Sequence, residues 1–182
     1  MQTSLLVAGF GGQGVMTIGK LIGECAFVQG LKTTYYPSYG PEQRGGTANC
    51  TIVISDKEIG SPLIDELDVL MVMNQPSLDK FMGKVKPGGI IMTNATLVSP
   101  EKVTRTDVRV LAVDADNLAF DIGSSKVANI IMIAAYMEAT KTMPIEEVKK
   151  IVLHTMAKKP EFMAMNEKAF DTGVEVARKG LN

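Results

Sequence analysis

The stretch that most constrains this chain is Gly9-Phe10-Gly11-Gly12-Gln13-Gly14. An apolar run, Leu5 to Ala8, precedes it, and a segment of helical periodicity follows. A strand, a glycine-rich turn and a helix in immediate succession open an α/β unit, and backbone N–H groups at the helix N-terminus can then face an anion. The strand is expected over Ser4 to Gly9. From Gly12 to Gln29, the residues Val15, Ile18, Leu21, Ile22, Cys25 and Ala26 recur at spacings of three and four, one apolar stripe of a helix. Gly30 suits its end. Leu31 to Tyr36, rich in Thr and Tyr, reads as a second strand. A helical crossover between two strands implies that they pair in parallel, with a right-handed connection.

The rest of the chain continues the alternation. Pro37 to Gly46 holds two prolines and three glycines in ten residues and reads as a loop. Thr47 to Ser55 alternates and is β-branched, a third strand. Asp68 to Met73 is a continuous apolar run, as in a strand covered on both faces. A short helix over Gln75 to Val85, a tight turn at Lys86-Pro87-Gly88-Gly89, and strands at Ile90 to Thr93 and Val108 to Val113 follow. Asp114 to Phe120 suits a helical turn. Ser124 or Ser125 can cap a helix carrying Val127, Ile130, Ile131, Ala134, Ala135 and Met137. Pro144 suits the first turn of a helix running to Met156, and a last helix spans about Pro160 to Lys179. This order predicts a Rossmann-like, doubly wound α/β fold with a mostly parallel sheet and C-terminal helices. No linker interrupts the 182 residues, so 1–182 is expected to be one domain.

Composition narrows the chemistry. Apolar residues make up 46%, enough for a sizeable core, and the net charge of −1 comes without blocks of like charge. Nucleic-acid binding through phosphate neutralisation has little support. The longest apolar stretch, Val127 to Ala135, is too short to span a bilayer. With no basic, uninterrupted leader and no disulfide framework, a cytoplasmic protein without membrane partners is expected. Cys25 and Cys50 are isolated, so the chain alone cannot ligate an iron–sulfur cluster or a structural zinc. The twelve methionines fit an adaptable core or a partner surface.

Gly9, Gly11 and Gly14 match Gly-x-Gly-x-x-Gly, but a dinucleotide site also needs an acidic residue at the end of the second strand. That strand ends Thr33-Thr34-Tyr35-Tyr36-Pro37, and Glu42 comes only after a proline. Glycines that merely permit a tight turn and close packing explain the spacing as well. A Walker A loop is excluded, because Gly-Lys-Ser/Thr is absent. In the second loop, Tyr39 to Gly46, Arg44 presents a planar fork suited to carboxylate or phosphate, Glu42 can pair with it, and Gly45 and Gly46 let another backbone approach. A solvated charge pair on an exposed loop is the plainer alternative. His154 has no acidic or nucleophilic neighbour, and Asp114, Asp116 and Asp121 fit a turn and helix start better than a cation site. No catalytic residue and no metal ligand set is identified.

Taken together, Gly9-Phe10-Gly11-Gly12-Gln13-Gly14 and Ser38-Tyr39-Gly40-Pro41-Glu42-Gln43-Arg44-Gly45-Gly46-Thr47-Ala48 resemble the gamma subunits of 2-oxoacid:ferredoxin oxidoreductases. Most of the chain fits, including Asn117-Leu118-Ala119 and the Asn129-bearing helix. The Tyr-Gly-Pro-Glu-Gln-Arg-Gly-Gly-Thr-Ala form looks closest to the 2-oxoglutarate branch, whereas pyruvate and branched-chain enzymes usually vary at its end. The resemblance implies an oxidoreductase subunit whose holoenzyme converts a 2-oxoacid and coenzyme A to acyl-CoA, CO₂ and reduced ferredoxin. It implies thiamine diphosphate and Mg²⁺ on alpha and beta partners, iron–sulfur clusters on beta or delta, and no cofactor bound by this chain alone. Gly9, Gly11, Gly12, Gln13, Gly14, Tyr39, Gly40, Pro41, Glu42, Gln43, Arg44, Gly45 and Gly46 are then expected to contact CoA or a partner subunit. Two other readings stay open: an indolepyruvate oxidoreductase subunit, which shares the first loop, and a stand-alone NAD(P)-dependent nucleotide-binding protein.

Overall fold

A computed structural model of the chain describes residues 1–41, 45–156 and 159–181. Its six-stranded sheet is built around β1 (Gln2–Phe10), whose Leu5 to Ala8 are buried on both faces. Helix α1 (Val15–Val28) follows, then β2 (Lys32–Tyr39), β3 (Thr47–Ser55), β4 (Leu67–Val72), α2 (Gln75–Phe81), β5 (Val85–Asn94) and β6 (Arg109–Val113). The strand order is β2-β3-β1-β4-β5-β6. The chain divides into two compact units, Met1–Ala112 and Val113–Asn182.

In the first unit, β4 pairs with β1 and β5 pairs with β4, both in parallel. The expected direct pairing of the first two strands is corrected. β3 inserts between them and runs antiparallel to both, from Phe10↔Thr47 to Gln2↔Ser55 and from Tyr39↔Ala48 to Lys32↔Ser55. The crossover through α1 still gives β1 and β2 one direction, but two strand spacings apart. The helices cover both faces. The apolar stripe of α1, from Val15 to Ala26, is buried over the face that carries Tyr35, Cys50 and Ile52. Leu78 of α2 packs on the opposite face with Leu6, Leu70 and Val72.

Two local expectations also change. Pro37 to Tyr39 belong to β2 rather than to the loop; β2 is an edge strand, and its register puts Pro37 at a position whose N–H would face away from β3, so the proline costs no ladder bond. Lys86 to Gly89 lie inside β5, where the pairing with β4 shifts from Leu67↔Val85 to Val69↔Ile90 and Gly88 adopts φ +78°. The extra residues form an irregularity in a strand instead of a turn between elements.

The second unit is helical: α3 (Ala115–Ile122), α4 (Ala128–Thr140), α5 (Ile145–Met156) and α6 (Met163–Gly180). Ser124 caps a short 3₁₀ turn, Ser125–Val127, that leads into α4. From Ile130 to Glu138 every residue of α4 is buried, so the helix has no solvent face there. Gly173 of α6 lies against the Ile131 carbonyl and Ala134 of α4. The buried Glu138 carboxylate of α4 accepts from Lys141 and, at 3.1 Å, from Arg178 of α6. Burial pushes its pKa up, but those two cationic donors outweigh it and hold the group below the ordinary carboxylate range.

Candidate functional site

The first glycine loop is closed by its own glutamine. Phe10 N–H donates to Gln13 Oε1 at 2.7 Å, and Gln13 N–H donates back to the Phe10 carbonyl at 3.2 Å. Gln13 Nε2 then donates to the Met73 carbonyl at 2.9 Å, just past β4, and Asn74 Nδ2 reaches Gln13 Oε1 at 3.4 Å. Gly9 makes room for this. A Cβ there would lie 2.7 Å from Gln13 Oε1 and 2.9 Å from Met73 Cβ. Gly12 and Gly14 adopt φ +97° and +79°, conformations that L side chains rarely take. Gly14 also stands at the start of α1 and offers no side-chain cap. The first-turn amides of Val15, Met16 and Thr17 therefore have no intrahelical acceptor, and the helix dipole favours negative charge beside them.

The second loop is pinned to the first. Gly11 N–H donates to the Gly46 carbonyl at 2.9 Å, and Gly40 N–H donates to the Thr47 carbonyl at 2.8 Å. Between the loops lies an open cleft of about 300 Å³, lined by Phe10, Gly12, Gly14, Met16, Thr17 and Tyr39 among others. Tyr39 is 62% exposed and stands at its rim. Pro41 and Gly45 are exposed, and Gly45 adopts φ +74°. Glu42, Gln43 and Arg44 lie outside the described residues. The structure thus brings Gly9 to Gly14, Tyr39, Gly40 and Gly46 together, while the Gly11 and Gln13 amides are engaged within the protein and the first turn of α1 faces the cleft. Beside β1, where a dinucleotide fold places the acidic end of its second strand, β3 begins at Thr47. That position carries no carboxylate.

The remaining candidates are dispersed. His154 is exposed on α5. Asp114 accepts two hydrogen bonds from Asn117 Nδ2 at the start of α3, a turn contact. Among the described residues, no three His, Cys, Asp or Glu side chains converge as a metal site would need. Cys25 and Cys50 are fully buried, and burial pushes both thiols up to about 12. Two such neutral thiols do not fit an iron–sulfur cluster, which needs four thiolates. No described helix is long and apolar enough to cross a membrane. Asn74 is a site residue that the spacing argument overlooks. Its side chain caps α2 by accepting from Ser77 N–H at 2.8 Å as it touches Gln13. The run Asn74-Gln75-Pro76-Ser77 carries the capping signature that would have marked it.

Residues 4–176 match the family described as pyruvate ferredoxin/flavodoxin oxidoreductase. Ketoisovalerate oxidoreductase subunit VorA of Methanothermobacter thermautotrophicus is 39% identical over 96% of this chain, which spans only 36% of that protein's length. The 2-oxoglutarate synthase subunit KorC of Methanocaldococcus jannaschii is 33% identical, and the match covers 98% of this chain and 96% of that one. Among solved structures, the gamma subunit of a keto/oxoacid ferredoxin oxidoreductase from Geobacter sulfurreducens superposes with a TM-score of 0.80 at 31% identity, covering 97% and 99% of the two chains.

Proposed function

This chain belongs to the pyruvate ferredoxin/flavodoxin oxidoreductase family, and we propose that it is the gamma subunit of a multisubunit 2-oxoacid:ferredoxin oxidoreductase of the cytoplasm, with 1–182 as its single domain. Its partners are alpha and beta subunits, with a delta subunit in some assemblies, and ferredoxin receives the electrons through the complex. The holoenzyme carries out CoA-dependent oxidative decarboxylation to acyl-CoA and CO₂. Thiamine diphosphate, Mg²⁺ and iron–sulfur clusters supply the carbanion and electron-transfer chemistry from the partner subunits.

The observation that supports a role for this chain is the 2.9 Å bond from Gly11 N–H to the Gly46 carbonyl, which joins two glycine-rich loops into one cleft at the start of α1. Its described walls offer helix amides, Met16, Thr17 and Tyr39, groups that bind and orient a ligand. In our reading the amides of the first turn take an anionic part of CoA. Glu42, Gln43 and Arg44 are assigned to contact with CoA or a partner subunit on the motif they belong to.

2-Oxoglutarate is the substrate we favour, because the 2-oxoglutarate synthase subunit matches this chain from end to end at similar length. Ketoisovalerate is the second reading, supported by the 39% identity to the ketoisovalerate subunit. Co-purification with neighbouring subunits, followed by ferredoxin reduction with each 2-oxoacid, decides between them. In the same assay, Arg44→Ala should retain thiamine diphosphate and lose about 1.5–3 kcal/mol of CoA-dependent transition-state stabilisation, roughly 10- to 150-fold in kcat/KM. Unchanged CoA kinetics remove Arg44 from the site.

A further inference from the structure

We infer that Gln13 is a positioning residue for the cleft, acting through the loop backbone. The inference rests on the reading that the cleft receives CoA. Gln13 does not itself line the cleft; Gly12 and Gly14, its neighbours on either side, do. Both glycines adopt left-handed conformations and have no side chain to hold them in place. Gln13 supplies the missing restraint from between them. Its carboxamide spans from the last residue of β1 to the residue after β4, receiving Phe10 N–H at 2.7 Å and donating to the Met73 carbonyl at 2.9 Å.

The orientation of that amide is dictated by its partners. A backbone N–H can only donate and a backbone carbonyl can only accept. Oε1 must face Phe10 and Nε2 must face Met73. Met73 is itself anchored, since its N–H donates to the Ala8 carbonyl at 2.9 Å. The bridge therefore ties the loop to two paired strands, and the start of α1 inherits that placement. A carboxylate of the same length keeps the Phe10 bond but sets an oxygen against the Met73 carbonyl. A protonated carboxyl group makes both bonds.

This gives a test whose outcome depends on pH. The residues that hydrogen-bond the Gln13 side chain, Phe10, Met73 and Asn74, and Gly9 packed against it carry no charged side chain, and Tyr39 is the one titratable residue among the described cleft walls. In the assembled enzyme, Gln13→Glu should raise the KM for CoA about tenfold over wild type at pH about 8. That ratio should shrink severalfold at pH about 5.5, because partial burial and the facing carbonyl favour the neutral carboxyl. CO₂ release from the 2-oxoacid without CoA should be preserved. Gln13→Met, similar in length and unable to bridge, should raise the same KM at every pH, and it carries the test if the glutamate variant does not assemble. Thr17→Asp, on the cleft wall, should raise the KM for CoA by repelling its phosphates. If Thr17→Asp acts but Gln13→Glu and Gln13→Met do not, or if the Gln13→Glu ratio ignores pH, the role of Gln13 is overturned and the cleft reading stands. If Thr17→Asp leaves the KM unchanged, the cleft reading fails, and this inference fails with it.

Discussion

Replacing Gly173 with alanine sets two effects of similar size against each other. In the interior of a helix such as α6, alanine is ordinarily favoured over glycine by roughly 1 kcal/mol. At this position the new Cβ would overlap the Ile131 carbonyl oxygen and lie 2.8 Å from Ala134 Cβ and 3.0 Å from the Ile131 carbonyl carbon. None of these atoms is the end of a flexible side chain, so no rotamer change relieves the contact. α6 must move away from α4, which loosens the packing along both helices. Overpacking costs about 1–3 kcal/mol, and a clash with backbone belongs at the upper end of that range. After the propensity gain, the expected net loss is about 2 kcal/mol, or roughly 4–8 °C in Tm for a chain of this size. Gly83→Ala is the matched control. It has ordinary φ and nothing within 4 Å of the added Cβ, and it should change stability by no more than about 0.5 kcal/mol. Urea unfolding followed by circular dichroism measures both. A Gly173→Ala protein as stable as wild type, or more stable, refutes the close approach of the two helices.

Two further predictions concern buried ionisable groups. The Glu138 carboxyl titrates below its ordinary 4.5 in the folded chain, so the stability it contributes is present above that value and is lost as pH falls through the folded pKa. Urea midpoints between pH about 3 and 7 should therefore decline less steeply for Glu138→Gln than for wild type, and parallel curves count against the ion pairs with Lys141 and Arg178. The Cys25 and Cys50 thiols are raised from 9.0 to about 12, mainly by burial, so their contribution to stability is complete below pH 9 and fades as the unfolded chain ionises first between 9 and 12. At pH about 8 a thiol reagent should modify neither until denaturant is added, and rapid labelling of the native protein contradicts the burial.

The helix stripe from Val15 to Ala26 and the strand from Thr47 to Ser55 are legible because each is a local period, set by which face is buried. Strand neighbours are a different kind of information. Alternation in β3 states that one face is covered but not which strand it adjoins, so its insertion between β1 and β2 follows only from the sheet as a whole. Pro37 reads as a break because proline lacks a donor, and that lack matters only where the N–H would have faced a paired neighbour. α4 shows the limit of periodicity: the apolar stripe is correct, yet Tyr136 and Glu138 are buried outside it. At the site, the glycines draw attention because their conformational meaning is local. The work of Gln13 depends on Met73 and Asn74, about sixty residues away, and no spacing in the first loop announces it.

The antiparallel insertion of β3 also bears on how such a site can diversify. Because β2 and β3 form a hairpin, the second loop is closed by local pairing, and its base is fixed twice, by Tyr39↔Ala48 on one side and Phe10↔Thr47 on the other. The connection between Pro41 and Gly45 can change in length or charge while the register below it stays put, and closing a slightly longer loop costs only a fraction of a kcal/mol. A tip held this way is a replaceable part. Substitutions there are not filtered by the requirements of the core, so that connection can vary on an unchanged sheet.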